Sequence, residues 1–317
     1  MRDFLPGKRL LLGGMLALLA ACGAELPEAP PAVGGCAVET LAVVPVRMQR
    51  NEPHVDVAIN DWPVNLVLDT GAQGTTISAA VAGKIQLRRG TQVGTMQALG
   101  GSVPSWPARA RVFSFGGVAL RDHVVRVAPV LLQRPGATAP DGLLGADILS
   151  RYDIDFDFSN NKMTLHRARN CPDGGPGWDF PYVTLTMITA QPGRIMVPVE
   201  LDGVPFGAVL DTGAEMTAIA RSIALRTGKT EAQLDAGMAV TITGASDAKV
   251  TGRRHQFGAM RIGQLRANAP VLVVVPLPQN VANGILGMDF LRGRRVWVSY
   301  ASQKVFVGIG PTVVAGR

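Results

Sequence analysis

The chain has 317 residues, 47% hydrophobic and 17% charged, a length for about two domains and an apolar content that excludes a disordered protein. Its formal charge of +7 is scattered without a basic run or a nucleic-acid-binding motif. That excess reads as solubility rather than as a surface for polyanions.

At the N-terminus, Arg2, Lys8 and Arg9 precede Leu10–Ala21, an unbroken apolar or small stretch. A spanning helix needs about 20 such residues, so residues 1–21 read as a signal peptide. Leu19-Ala20-Ala21-Cys22 has the form of a bacterial lipobox. The expectation is cleavage before Cys22, a lipid on that cysteine as membrane anchor, and a body facing the periplasm. Gly23 stands where an aspartate commonly retains such proteins at the inner membrane, which favours the outer one. Residues 22–40, rich in Pro, Ala and Gly at their start, predict a tether. With Cys22 lipidated, Cys36 and Cys171 remain as a pair. An exported protein keeps disulfides, so a bridge is expected, two free thiols being the alternative.

The strongest signal is a repeat. Leu66-Val67-Leu68-Asp69-Thr70-Gly71-Ala72 returns as Ala208-Val209-Leu210-Asp211-Thr212-Gly213-Ala214, an offset of 142 from Asp69 to Asp211. Gly142-Leu143-Leu144-Gly145-Ala146-Asp147 returns as Gly284-Ile285-Leu286-Gly287-Met288-Asp289, and Phe115-Gly116 as Phe257-Gly258, at the same offset. This is a duplication: lobes at 41–170 and 181–317, with a Pro- and Gly-bearing connector at 171–180 between them. Each lobe reads as mostly β. Val55, Val57 and Ile59 alternate with polar residues, as do Val197, Val199 and Leu201. Turns at Asn60-Asp61 and Asp202-Gly203 lead into the apolar strands that end at the Asp-Thr-Gly-Ala sequences. Helical spacing follows at Ile77–Ile85 and Ile219–Leu225, then a short helix from Gly145 and from Gly287. Closing hairpins span Ile154–Leu165 and Val296–Val307. Many short strands and little helix favour closed or sandwiched β units.

A single Asp-Thr-Gly-Ala is usually a plain turn. Two copies at matching points of duplicated lobes place Asp69 and Asp211 face to face across a pseudo-two-fold axis. Carboxylates about 3 Å apart cannot both ionise easily, so they share a proton and titrate as a unit. One then serves as base on a water while its protonated partner donates to a carbonyl oxygen.

With these residues in hand, the chain resembles the retropepsin-like and pepsin-like aspartic proteases. The match rests on Asp69-Thr70-Gly71-Ala72, Asp211-Thr212-Gly213-Ala214, Leu143-Leu144-Gly145 and Ile285-Leu286-Gly287. The resemblance implies two retropepsin-like lobes and an aspartic endopeptidase that binds an extended peptide or envelope protein, needs no cofactor or metal, and acts as a monomer because both lobes share one chain. It also implies a grip in which Thr70 and Thr212 bond the opposite loop's backbone, with the Gly145 and Gly287 segments running beneath the loops. Ala72 and Ala214 stand where pepsin-like enzymes often carry a hydroxyl, which predicts a less acidic optimum, at about pH 5–6. Flap hairpins fall at Met96–Ser105 and Val240–Lys249, with tips at Leu99-Gly100-Gly101-Ser102 and Thr243-Gly244-Ala245-Ser246. Neither holds a tyrosine; those are Tyr152, Tyr182 and Tyr300. Trp106 is a substitute cover for the cleft or a hinge or core residue. The missing flap tyrosine supports one alternative, a peptide-binding lipoprotein that does not cut.

Other constellations read as structural. Asp153, Asp155 and Asp157 alternate with Ile154, Phe156 and Phe158 as a half-buried strand, and Phe158 occupies the glycine position of a calcium loop. His54, His123, His166 and His255 have no metal-ligand spacing and read as surface residues. Asp147 and Asp289 read as caps of the short helices, and Asp141 as a turn residue. No serine-nucleophile or phosphate-loop motif is present.

Overall fold

Each lobe opens with a hairpin of the same design. Asn60 and Asp61 hold left-handed backbone, φ 50° and 70°, and Asp202 and Gly203 do the same at 47° and 81°. These are the residues that tolerate such angles, and two of them in a row make the tight turn that suits twisted strands. The turns join Glu52–Ile59 to Trp62–Leu68 and Met196–Leu201 to Val204–Leu210. This structure is a computed structural model and describes residues 36–129, 139–171, 175–188, 193–244, 249–277 and 282–309. The expected signal peptide, Cys22 and most of the tether lie outside the described residues.

Among the described residues the chain is mostly β, in three sheets. In the eight-stranded sheet of the first lobe the central order is Glu52–Ile59, Trp62–Leu68, Gly142–Leu144, Thr76–Ser78, Val118–Ala128. The nine-stranded sheet of the second lobe repeats that order with Met196–Leu201, Val204–Leu210, Gly284–Leu286, Ala218–Ala220, Val271–Val275. In both, the strand leading to Asp-Thr-Gly-Ala runs parallel to the apolar-apolar-Gly strand, with Leu68 opposite Leu144 and Leu210 opposite Leu286. Leu66–Leu68 and Ala208–Leu210 are buried on both faces, which explains their unbroken apolar runs. The segments expected to be helical from Ile77 and Ile219 begin as short strands. Their helices are Ala79–Lys84 and Arg221–Arg226.

The third sheet joins the lobes. Its order is Ala37–Pro45, Lys162–Arg169, Asp153–Asp157, Arg295–Ser299, Lys304–Gly308, Tyr182–Thr186. The lobe-to-lobe seam pairs Ile154 with Val298 and Phe156 with Val296. Asp153–Asp157 is therefore buried along its whole length, not half-solvated as its alternation suggested. Asp155 pairs with Arg295, and Asp157 accepts from Asn160. The first strand starts at Ala37, inside the segment expected as tether, because it pairs with Lys162–Arg169. The Cys36–Cys171 disulfide closes that strand pair. One apolar core runs through both lobes, and the described residues fall in one compact unit. No helix among the described residues is long and apolar enough to cross a membrane.

Candidate active site

Asp69 and Asp211 each continue a parallel strand pair by one rung. The Asp69 N–H donates to the Leu144 carbonyl and the Asp211 N–H to the Leu286 carbonyl, both at 3.0 Å. Each loop is then tied from below, Ala146 N–H donating to the Ala72 carbonyl at 2.9 Å and Met288 N–H to the Ala214 carbonyl at 2.8 Å. Gly145 and Gly287 permit this approach. A Cβ on either would stand 2.6 Å from the carbonyl carbon of Gly74 or Met216.

Thr70 and Thr212 bind the two loops to each other. The Thr70 hydroxyl donates to the Leu210 carbonyl at 2.6 Å and accepts from the Thr212 N–H at 3.0 Å. Reciprocally, the Thr212 hydroxyl donates to the Leu68 carbonyl at 2.6 Å and accepts from the Thr70 N–H at 3.0 Å. Both threonines are fully buried. These four buried hydrogen bonds fix the two loops against each other.

The grip brings the two carboxyls together. They hydrogen-bond to each other. Asp69 Oδ1 also accepts from Gly71 and Ala72 N–H at 2.9 and 2.8 Å, and Asp211 Oδ1 from Gly213 N–H at 2.8 Å. Gly71 and Gly213 leave room for the opposite aspartate. A Cβ on Gly71 would lie 2.5 Å from Asp211 Cγ, and one on Gly213 2.6 Å from Asp69 Cγ. Burial, followed by the adjacent Asp211 charge, holds Asp69 well above the usual carboxylate range. Burial also raises Asp211, opposed by the Gly213 and Ala214 N–H groups, by Asp69 and by the positive charge of Arg194. The pair therefore retains one proton at a pH where an isolated carboxyl has lost it. Arg194 breaks the symmetry and favours the negative charge on Asp211.

The dyad lies on the floor of a cleft of about 1000 Å³ lined by both lobes. Two hairpins border it. Gly94–Ala98 turns through Leu99 and Gly100 into Gly101–Phe115, with Gly100 and Gly101 at φ 91° and 145°. Met238–Thr243 pairs with Lys249–Gln256. Gly244 meets Leu99, where an added Cβ would come 2.8 Å from Leu99 Cβ, so the tips of the two hairpins touch. Of the second expected tip, Ala245 and Ser246 lie outside the described residues. Ser105 and Pro107 line the cleft, but Trp106 does not. It packs partly against the core with the Arg89 guanidinium 3.7 Å above its ring, so of its two readings the core role holds.

A profile of the aspartyl protease family matches residues 55–148 and, again, residues 197–290. The chain belongs to the aspartyl protease family. Both matches contain one Asp-Thr-Gly-Ala loop and one apolar-apolar-Gly segment, so this member of the family carries the family unit twice. No curated protein matches the chain in sequence.

Two groups of residues in this family member depart from the sequence reading. Asp147 and Asp289 are not the N-cap residues of their helices, which are Gly145 and Gly287 with no side-chain bond, although Asp289 Oδ1 does accept from the first-turn Phe290 N–H at 2.9 Å. Instead Asp147 accepts from Thr75 N–H and Oγ1, both at 2.7 Å, and Asp289 from Thr217 at 2.8 and 2.6 Å. Those threonine hydroxyls in turn accept from Gly145 and Gly287 N–H. Each aspartate thus locks the far end of its Asp-Thr-Gly-Ala loop. The constant spacing of 72 residues between Thr and Asp in both copies was the available signal. The histidines are not surface residues either. His54, His123 and His166 are buried, His123 with Nε2 3.0 Å from Asp147 Oδ2, and His255 is half-buried against the Leu234 carbonyl. Burial pushes Asp147 upward, but the hydrogen bonds from His123 and Thr75 outweigh it and hold the group below its usual range. Among the described residues no group of three His, Cys, Asp or Glu is placed to hold a metal ion.

Proposed function

We propose that the chain is an aspartic endopeptidase in which Asp69 and Asp211 activate a water for attack on a peptide bond. The observation that carries this is the mutually hydrogen-bonded, raised pair at the floor of a two-lobed cleft. Asp211, nearer Arg194, takes a proton from the water as its oxygen attacks the carbonyl carbon. Asp69 gives its proton to the carbonyl oxygen. On collapse of the tetrahedral intermediate the C–N bond breaks as Asp211 passes its proton to the leaving nitrogen and a hydroxyl of the intermediate returns a proton to Asp69 while the carbonyl re-forms, without metal or covalent intermediate. The flap hairpins offer edges to which an extended substrate can add main-chain hydrogen bonds, while side pockets select residues.

The lipobox at Leu19–Cys22 supports a further proposal, that the enzyme is a periplasm-facing lipoprotein acting on envelope proteins or released peptides. The absence of tyrosine from both flap hairpins favours a second reading, a binder that does not cut.

One assay separates these readings. An unstructured peptide pool is incubated with the chain from about pH 3 to 8, beside Asp69→Asn and Asp211→Asn. Cleavage lost in both variants, by about a thousandfold or more, supports the endopeptidase. Cleavage surviving both overturns the dyad mechanism, and retention of peptides without cutting establishes the binder.

A further inference from the structure

The duplication supplies an internal control, because every position on one cleft wall has a counterpart on the other. Thr76 pairs with Arg126 in parallel register, and Ala218, its repeat partner, pairs with Val273 in the same way. Arg126 and Val273 are therefore structural equivalents, as are Gly74 and Met216 at the 142-residue offset. All four line the cleft. The first lobe thus presents a small residue and a guanidinium where the second presents two apolar side chains.

The two substitutions fit one another. Arg126 Nε would lie 3.3 Å from a Cβ built on Gly74, so the arginine stem rests against the end of the Asp-Thr-Gly-Ala loop in space that a larger residue would take. Met216 occupies the matching place in the second lobe and packs partly against its core. Around it Val209, Val273, Val275 and Leu277 line the cleft, while the Arg254 guanidinium, which donates to the Met216 sulfur at 3.7 Å, stands outside that lining.

Arg126 is exposed and, among the described residues, has no hydrogen bond or ion pair from its guanidinium. The other first-lobe charges on the cleft are engaged, Asp147 by Thr75 and His123 and Arg50 by a partner of its own. Arg194 and Glu215 belong to the second lobe and also have partners. A guanidinium of this kind beside a peptide cleft is a receptor for a carboxylate, which it can hold through two parallel N–H bonds.

We infer that Arg126 is a specificity-determining residue that selects an acidic side chain in the half of the peptide lying along the first lobe, while the wall around Val273 selects an aliphatic side chain in the other half. The substrate class is a peptide with a Glu or Asp on one side of the cleaved bond and a branched aliphatic residue on the other. This rests on the endopeptidase reading for the word cleaved, but not for the binding preference.

The test uses the full-length chain in detergent with a peptide taken from the cleaved pool. Each position flanking the bond is replaced in turn by Glu, Gln, Lys and Leu, and rates are compared as ratios within each protein, so that any loss of folded material cancels. The expected result is one position, in one half only, where Glu is preferred to Lys by about tenfold. Arg126→Gln flattens that ratio and Arg126→Glu inverts it, while the aliphatic preference on the other side persists. No acidic preference in the parent, or one that Arg126→Glu leaves unchanged, overturns the inference. If nothing is cut at all, the endopeptidase reading fails by itself. Retention of peptides from the uncut pool, each made with Glu, Gln, Lys or Leu at a single position, on the immobilised chain then reads the Glu-to-Lys ratio, and an unchanged ratio in Arg126→Glu overturns the inference there too.

Discussion

Asp155 of the first lobe and Arg295 of the second meet within the sheet that joins the lobes, the guanidinium donating to the carboxylate at 2.7 and 3.0 Å while Trp178 Nε1 donates to the same group at 3.4 Å. The Asp155 side chain is only 3% exposed. Removing one partner of a buried pair leaves an uncompensated charge, which costs more than the pair itself contributes. Arg295→Ala is expected to destabilise by about 3 kcal/mol, whereas Asp155→Leu with Arg295→Leu recovers most of that loss. Urea denaturation of the three proteins checks both statements.

The threonine grip gives a second expectation. Thr70→Val keeps the volume but orphans the Leu210 carbonyl and the Thr212 N–H, both buried. Loss of about 2–4 kcal/mol follows, together with loss of peptide cleavage, because the grip sets the distance between the carboxyls. Thr70→Ser retains the hydroxyl and should restore both stability and rate. A Ser variant no better than Val would show that the methyl, not the hydroxyl, matters at this position.

The dyad also makes stability depend on pH. Asp69 and Asp211 are raised, so the folded chain keeps a proton that the unfolded chain releases above about pH 4. That stabilising term is complete below the unfolded carboxyl range and disappears as pH climbs through the folded value. Asp69→Asn removes the buried charge, and near neutral pH its Tm should exceed the parent's by about 3 °C, with the difference closing by about pH 4. Calorimetry across this range reads it directly, and equal Tm values at neutral pH would contradict it.

The disulfide is open to the same kind of measurement. Cys36 and Cys171 are 135 residues apart in sequence, so their bond restricts the unfolded chain strongly. Cys36→Ser combined with Cys171→Ser should lose about 3–5 kcal/mol of stability in urea titration, with little change at the dyad.

The repeat, the strand ends and the two Asp-Thr-Gly-Ala loops were legible in the sequence because a duplication prints every constraint twice. What was not legible depends on surfaces the sequence does not show. Asp153–Asp157 alternates like a strand with one wet face, and that face is closed by groups distant in sequence or beyond the strand end, Arg295 and Trp178 on Asp155 and Asn160 on Asp157. His123 has the composition of a surface residue, yet its buried ring serves Asp147. Asp147 follows a glycine at a helix start, where capping is the local expectation; a threonine 72 residues earlier claims its carboxylate instead. Arg126 reads as one more scattered cation until strand register makes it the counterpart of Val273 in the other lobe.

The disulfide has a mechanical consequence as well. Cys36 and Cys171 bring their Cα atoms to 4.5 Å, so the backbone enters and leaves the first lobe at one point. Tension between the N-terminal segment and the second lobe passes from Cys36 through the sulfur bridge to the connector. Covalently, residues 37–170 form a closed loop beside that path, so a pull on the chain ahead of Cys36 reaches the connector through the sulfur bridge without passing along the first lobe's backbone.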